Sequence, residues 1–149
     1  MDKEKSFQQT LFKKWKSYPS YFAYERVENR INNGTPDIAY TLQGNNGWLE
    51  LKVAKVINNV ITFKHWTPQQ RIWLKRHKSP YNFLFLKAEN NLYLLNYENA
   101  LKIENTPVSE AEIVFFDVLL DFSSFTKDEF FHIILSEERE VLYGTKLFD

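Results

Sequence analysis

The sequence predicts an α/β protein in which a mixed β-sheet is flanked by helices. Residues 3–16 carry apolar side chains at helical spacing, and residues 67–78 begin with a helix-start signal. Between these helices lies a predicted hairpin over residues 34–53, and residues 83–86 form an apolar run typical of a strand buried on both faces. We therefore expect helix 3–16 on one side of the sheet and helix 67–78 packing across it.

Both helices have identifiable boundaries. The first is amphipathic and ends before Pro19, because proline and the residue before it are poorly compatible with a helix. The second starts at Thr67 and Pro68, which supply an N-cap and a first-turn proline. The apolar residues of the first helix are Phe7, Leu11, Phe12 and Trp15.

The predicted hairpin has two alternating strands, residues 37–42 and 48–53, joined by a Gly/Asn loop at 44–47. In the second strand, Glu50 and Lys52 share one face. The remaining elements follow from apolar runs and turn residues. They are a strand at 21–30, a small β-excursion around Asn58-Asn59, a strand at 81–88, a turn at 89–91 leading into a strand at 92–97, a strand at 113–120, and a helix from Thr126 to about Arg139.

Composition limits the class of protein. With 149 residues and 44% hydrophobic residues, we expect one domain over residues 1–149, with a core at about 1–88 and an acidic extension at about 89–149. The absence of cysteine excludes a disulfide framework and a thiolate zinc site. No apolar run has the length of a membrane span or of a signal peptide core, so we expect a cytoplasmic protein without a membrane partner.

The net charge of zero conceals an asymmetry. Residues 1–88 carry fifteen Lys and Arg against six Asp and Glu, a balance of +9, and residues 89–149 carry four against thirteen, a balance of −9. A basic half attracts a polyanion such as nucleic acid. The alternative is that the two halves pair with each other electrostatically, and both interpretations can hold together.

Three charged residues of the hairpin suggest chemistry. Antiparallel pairing can bring the Asp37 carboxylate close to Glu50, with the Lys52 ammonium one pleat away. Two adjacent carboxylates repel each other unless a cation neutralises them, and Mg²⁺ or Mn²⁺ prefers such oxygen ligands. A neighbouring lysine can orient a water molecule or stabilise charge on a phosphate. The set is suited to metal-assisted phosphodiester hydrolysis, whereas a bare Glu-x-Lys pair more often marks a solvated sheet face.

The spacing of these residues resembles a known signature. Pro36-Asp37, a gap of twelve residues, and then Glu50-Leu51-Lys52 resemble the PD-(D/E)XK nuclease superfamily. Over about residues 20–88 the chain is similar to the VRR-NUC and phage-type, Holliday-junction-resolvase-like branches. The fuller pattern is Glu28-Asn29-Arg30, Gly34-Thr35-Pro36-Asp37, Trp48-Leu49-Glu50-Leu51-Lys52 and Thr67-Pro68-Gln69-Gln70-Arg71-Ile72-Trp73-Leu74.

The resemblance implies a restriction-endonuclease-like mixed β-sheet flanked by helices. It also implies a Mg²⁺- or Mn²⁺-dependent endodeoxyribonuclease, selective for branched or Holliday-junction DNA in phage recombination or DNA processing. Such an enzyme would act in the cytoplasm of a bacterial host. Since resolving a four-way junction needs two sites, a homodimer is expected.

The resemblance also implies roles for individual residues. Asp37, Glu50 and the Leu51 carbonyl would bind the metal, and Lys52 would position or activate the attacking water. A glutamate on the first helix often completes such sites; the candidate here is Glu4, which we interpret instead as a favourable first-turn charge. Further candidates are Gln70 as a catalytic hydrogen-bond donor, Glu28 as an accessory ligand, and Arg26, Arg30, Lys55, Arg71 and Lys75 as nucleic-acid contacts.

Two other classes of function remain open at this stage. The chain can be a non-catalytic module that binds nucleic acid or protein and retains the same fold, because fold alone does not determine function. It can also be an RNA-directed or restriction-type nuclease with the same triad. The sequence contains neither a recognition helix nor an RNA-stacking signature that would distinguish these substrates.

Overall fold

A mixed sheet of seven strands forms the framework of the protein in a computed structural model, which describes residues 3–28, 34–63 and 66–136. The strand order is β1-β2-β3-β5-β6-β7, and β4 pairs with β3. The pair β3–β5 is parallel and the other pairs are antiparallel. The elements are α1 (Lys3–Trp15), β1 (Phe22–Arg26), β2 (Ile38–Leu42), β3 (Asn45–Ile57), β4 (Val60–Thr62), α2 (Pro68–Arg76), β5 (Phe83–Ala88), β6 (Asn91–Leu95), α3 (Tyr97–Ile103), α4 (Val108–Val114), β7 (Leu119–Asp121) and α5 (Lys127–Ile134).

The two faces of the sheet bury two separate apolar clusters. Alternation along β3 sends Leu49 and Leu51 to the cluster shared with α1 and α5, and Ala54 to the cluster shared with α2, α3 and α4. The predicted placement of the first helix on one side of the sheet is confirmed, and the helix predicted to pack across the sheet, α2, lies on the opposite face. The sheet itself was predicted as mixed and flanked by helices, which the structure also confirms. None of the helices in the described ranges is long and apolar enough to cross a membrane.

The turn between β2 and β3 differs from the predicted loop at 44–47. The turn consists of Gln43 and Gly44, both with positive φ (50° and 84°), and Leu42 pairs directly with Asn45. Such a two-residue turn matches the twist of antiparallel strands. Residues 45–47 therefore belong to β3, because their backbones pair with β2. Asn58-Asn59 forms the same kind of turn between β3 and β4, which confirms the predicted excursion.

Gly47 is required by close packing inside this hairpin. A Cβ atom there would collide with the carbonyl oxygen of Tyr81 and would lie 2.6 Å from the ring of Tyr40. The Tyr40 hydroxyl donates a hydrogen bond to that same carbonyl, at 2.7 Å. Neither neighbour can move without breaking the other contact, so the site admits glycine alone.

We expect Gly47→Ala to lower the free energy of unfolding by about 2–4 kcal/mol, because overpacking at a buried backbone contact has no room to relax. Urea denaturation monitored by circular dichroism measures the loss. Gly44→Asn is the control for a glycine that lies in open space: its positive φ of 84° costs some strain, but asparagine tolerates such a φ better than most residues, so we expect a smaller loss. Equal losses in the two variants would contradict the packing argument.

The predicted starts of α2 and α5 are confirmed, and the predictions for the acidic half of the sequence are confirmed in part. Thr67 caps α2 and Thr126 caps α5, each through a capping box. The predicted continuation of α5 to about Arg139 is wrong, because the helix ends at Ile134 and Leu135 is its C-cap; residues 137–139 lie outside the described residues. The predicted strand at 113–120 is wrong. Ile113 and Val114 end α4 and are 75% and 60% exposed, a turn of 3₁₀-helix follows, and the strand β7 begins at Leu119, where β6 offers a partner.

The first strand is also shorter than predicted. β1 ends at Arg26 because its partner β2 begins at Ile38, which pairs with Arg26. Residues 29–33 of the predicted strand 21–30 and its turn lie outside the described ranges. At the other end of the sheet, β6 and β7 extend the same sheet into the acidic half of the sequence.

Candidate active site

The register of β2 against β3 places Asp37 opposite Glu50. Ile38 pairs with Leu49, so the next position outward on each strand is Asp37 and Glu50. Asp37 Oδ2 accepts a hydrogen bond from the Leu51 backbone N–H at 3.0 Å. This bond holds the carboxylate at the point where β2 leaves β3.

The site lies in a gap along one edge of β3. β2 pairs with this edge as far as Leu49, and β4 pairs with it from Lys55 onward. Between them, residues 50–54 have β5 as their strand neighbour within the described part of the chain. The N–H and C=O of one strand residue point to the same edge, so the Leu51 carbonyl faces the gap together with the Leu51 N–H that Asp37 accepts.

Glu50 is buried among polar partners that occupy one of its two oxygens. Its exposed fraction is 4%, and that of Lys52 is 5%. Oε1 accepts a hydrogen bond from Gln70 Nε2 at 2.9 Å and lies 3.4 Å from Lys52 Nζ. Oε2 is buried, and no N–H or hydroxyl group among the described residues donates to it. If Glu50 is ionised, its buried Oε2 has lost its contact with water and receives no hydrogen bond in return, which costs free energy.

Gln70 is fixed by the helix start that the sequence predicted. Its Oε1 accepts the Thr67 backbone N–H at 3.1 Å within the capping box of α2. The amide nitrogen is thereby turned toward Glu50. The helix start and the carboxylate pair are thus coupled through one side chain.

Electrostatics in the pair favour a proton or a cation. Burial, reinforced by the negative charge of Asp37, raises the pKa of Glu50 to about 8, although Lys52 opposes the rise. Burial also raises the pKa of Asp37, and the Leu51 N–H and Lys52 oppose that rise. A protonated Glu50 can donate to Asp37, which lowers the pKa of Asp37. Added positive charge would therefore stabilise the state in which both carboxylates are ionised.

The carboxylate pair lines a pocket of about 270 Å³. α1 contributes Glu4, Lys5 and Gln8 to the wall, and β1 contributes Arg26. The sequence interpretation treated Glu4 as a first-turn charge and gave no role to Lys5 or Gln8. The available signal was the spacing of Glu4 and Gln8, which places both along one side of α1, at the border of the face that buries Phe7 and Leu11.

The other predicted site residues are dispersed. Glu28 is exposed beyond β1 and does not line the pocket, and Arg30 lies outside the described residues. Arg71 forms a 2.9 Å ion pair with Glu104, which is a contact between the basic and acidic halves. Lys75 is exposed on α2, and Lys55 is exposed on β3 and lines a second groove. Six predicted residues therefore converge: Arg26, Asp37, Glu50, Leu51, Lys52 and Gln70.

The donor set fits a hard divalent cation that keeps part of its water. Within residues 3–28, 34–63 and 66–136, no group of three or more His, Asp or Glu side chains converges on one point. Mg²⁺ commonly binds through one or two carboxylates, with waters and substrate phosphate oxygens completing its shell. Asp37, the unsatisfied Oε2 of Glu50 and the Leu51 carbonyl supply such a partial shell.

Neither a scan of protein-family models nor a search of curated proteins gives a match to this chain. Its function is therefore inferred from the geometry and charge of the site.

Proposed function

We propose that this protein is a Mg²⁺- or Mn²⁺-dependent endonuclease with a restriction-endonuclease-like fold, which hydrolyses phosphodiester bonds in DNA. The observation that carries the proposal is a triad of charged residues in which Glu50 and Lys52 are buried and Asp37 is half-buried. Asp37 and Glu50 face each other across the hairpin, and Lys52 Nζ lies 3.4 Å from Glu50. A carboxylate pair in which one member is buried and keeps an unsatisfied oxygen is costly to the fold. Such a cost is typical of functional sites.

In this proposal Asp37, Glu50 and the Leu51 carbonyl hold the cation. When bound, the cation supplies positive charge that stabilises the negative charge developing on the scissile phosphate. The chain keeps this ligand set in place before substrate arrives. The Leu51 N–H fixes Asp37 and Gln70 fixes Glu50, so little reorganisation is needed on binding.

Lys52 serves as the donor that positions the attacking water or the phosphate. Its ammonium is buried and lines the pocket, so it acts in a site where charge is weakly screened. Arg26 lines the same pocket from β1 and is exposed, which suits a contact with the phosphate next to the cleaved one. Glu4 and Gln8 face the pocket from α1 and can hydrogen-bond water there.

The substrate class and the assembly are finer parts of the same proposal. We propose branched DNA, including four-way junctions, as the substrate, in phage recombination or DNA processing within the cytoplasm of a bacterial host. Resolving a four-way junction requires cuts in two of its four strands and therefore two active sites, so the protein would act as a homodimer. The basic balance of residues 1–88 supports a nucleic-acid partner.

The proposal is tested by a cleavage panel with purified protein. The substrates are linear duplex, single strand, nicked circle, four-way junction and structured RNA, each with Mg²⁺, Mn²⁺ or a chelator. We expect cleavage that requires the metal and is fastest on the junction. Cutting that continues in chelator, or no cutting of any substrate, would refute the metal-dependent nuclease, and preference for RNA or unbranched duplex would reassign its substrate.

In the same panel, we expect Lys52→Met to reduce the cleavage rate by about 10²–10³-fold, because a preorganised buried donor contributes a few kcal/mol to transition-state stabilisation. Methionine keeps the unbranched apolar stem, so packing is preserved. Lys102→Met, an exposed lysine on α3, controls for the loss of one positive charge. If the two variants cut equally well, Lys52 has no catalytic role.

A further inference from the structure

A second groove, of about 690 Å³, continues from the candidate active site along β3. Residues 50–52 of β3 line the active-site pocket, and residues 53–57 line the groove. α1 contributes Glu4 and Gln8 to the pocket but Lys3 and Phe7 to the groove. At about 100° per residue the two pairs are centred about 100° apart, on neighbouring faces of the helix. The two cavities therefore flank the N-terminal half of α1 and follow each other along one strand.

The charge of the groove is positive. Lys3, Lys55 and Lys87 reach it from α1, β3 and β5, and Glu89 is the acidic residue that lines it. Lys87 Nζ lies 5.0 Å from the centre of the Phe122 ring, and that ring packs edge-on against Phe7 at 5.5 Å. These contacts hold one ammonium group in position by a cation–π interaction. The groove therefore attracts anions, and the ammonium group of Lys87 is already held in position to bind one.

Between the lysines the groove wall is apolar. Val53 and Val56 are half-buried, and Ile57 is 54% exposed. A duplex presents chiefly phosphates and sugars to a protein surface and keeps its bases stacked inside. A single strand presents its bases as well, and its binding sites combine positive charge with apolar or aromatic surface. The mixed character of this groove fits a single strand better than a duplex.

The distance from the active site fits a continuous strand. Lys55 lies three positions after Lys52, which corresponds to roughly 10 Å along a β-strand. That length is about three nucleotides of axial rise for one strand of nucleic acid. The groove volume also falls within the range of about 300–1,000 Å³ that is usual for ligand sites.

We propose that this groove binds a single-stranded segment of the substrate, about three nucleotides from the phosphate that is cut. The inference rests on the proposed nuclease function, because it takes the pocket as the position of the scissile phosphate. It implies that the enzyme prefers nucleic acid in which a single strand leaves a duplex, as at an overhang, flap or opened branch point.

Fluorescence anisotropy with labelled DNA tests the groove separately from catalysis. In full-length protein carrying Asp37→Asn, binding of a duplex with a single-stranded overhang at either end is compared with binding of the same duplex with blunt ends. We expect tighter binding of at least one overhang form. Adding Lys55→Gln and Lys87→Gln should weaken that binding about tenfold and reduce its salt slope by about 1.4, with the blunt duplex unaffected.

Lys102→Gln is the matched control and should leave both affinities unchanged, since this exposed lysine lies on α3. Lys55→Gln alone, at an exposed position, gives a smaller loss of the same kind if the double variant is unstable. If the substitutions weaken the binding of blunt and overhang DNA equally, or weaken neither, the proposed single-strand groove is wrong. If the wild type cuts no substrate but the lysine substitutions still remove the preference for overhang DNA, the groove proposal stands and the nuclease function is refuted.

Discussion

Replacing Asp37 by asparagine is expected to reduce cleavage by more than about 10³-fold without unfolding the protein, since about 4 kcal/mol of transition-state stabilisation corresponds to that factor. The side-chain oxygen of the new asparagine can still accept the Leu51 N–H, which Asp37 accepts at 3.0 Å. What is lost is the negative charge that would hold the cation. Because burial raises the pKa of Asp37, removing its charge should also stabilise the metal-free fold slightly at neutral pH.

Single-turnover cleavage and thermal denaturation measure the two effects. Asp117→Asn is the matched control, because Asp117 is exposed and lies in the 3₁₀ turn after α4. The control should cut like wild type. If Asp37→Asn protein is folded and still cuts at a comparable rate, the carboxylate pair is not the catalytic centre and the function must be sought elsewhere.

The adjacency of Asp37 and Glu50 was predictable from the hairpin, but its exact register was not. The predicted strands 37–42 and 48–53 would pair Leu42 with Trp48 and therefore place Asp37 opposite Val53. The observed turn at Gln43 and Gly44 places Asp37 opposite Glu50 instead. Turn length determines register, and a small change in the loop moves every cross-strand pair. The observed register brings the Asp37 and Glu50 carboxylates together, whereas the predicted strand ends would have kept them apart.

Residues that depend on tertiary packing were less predictable. The pattern of α1 identifies its buried face, yet the position of α1 across β3 decides that Glu4 and Gln8 reach the pocket. The same limit applies to Arg71, whose charge suggested nucleic acid and whose observed partner is Glu104. Spacing along one element predicts faces, whereas contacts between elements depend on how they dock.

The strand predicted at 113–120 was wrong for a related reason. Ile113 and Val114 favour strands by propensity, but they end a helix whose buried contact is Ala111. A strand needs a partner edge, and β6 offers one along Asn91–Tyr93, which pairs with Leu119–Asp121. Local preference was therefore overridden by the available pairing.

Wild-type protein in chelator is expected to lose stability as the pH rises from 5 to 8, whereas Glu50→Gln is expected to lose much less. The pKa of Glu50 is about 8 in the folded state, against an ordinary value of 4.5. The folded state therefore favours the neutral carboxyl, and stability is fully present below pH 4.5 and is lost as the pH rises toward 8. At about 1.4 kcal/mol per pKa unit, the loss amounts to a few kcal/mol.

Urea denaturation at several pH values measures this dependence, with Glu110→Gln at an exposed position of α4 as the matched control. Glu50→Gln should be more stable than wild type at pH 8 and similar to it at pH 5, while the control keeps the wild-type slope. Saturating Mg²⁺ should restore wild-type stability at pH 8, because a ligand that binds the folded state stabilises it. It should do little for Glu50→Gln, which has lost the charge that attracts the ion. Parallel pH slopes in wild type and Glu50→Gln would show that folding does not raise the pKa of Glu50, and they would contradict the proposed cost of the carboxylate pair to the fold.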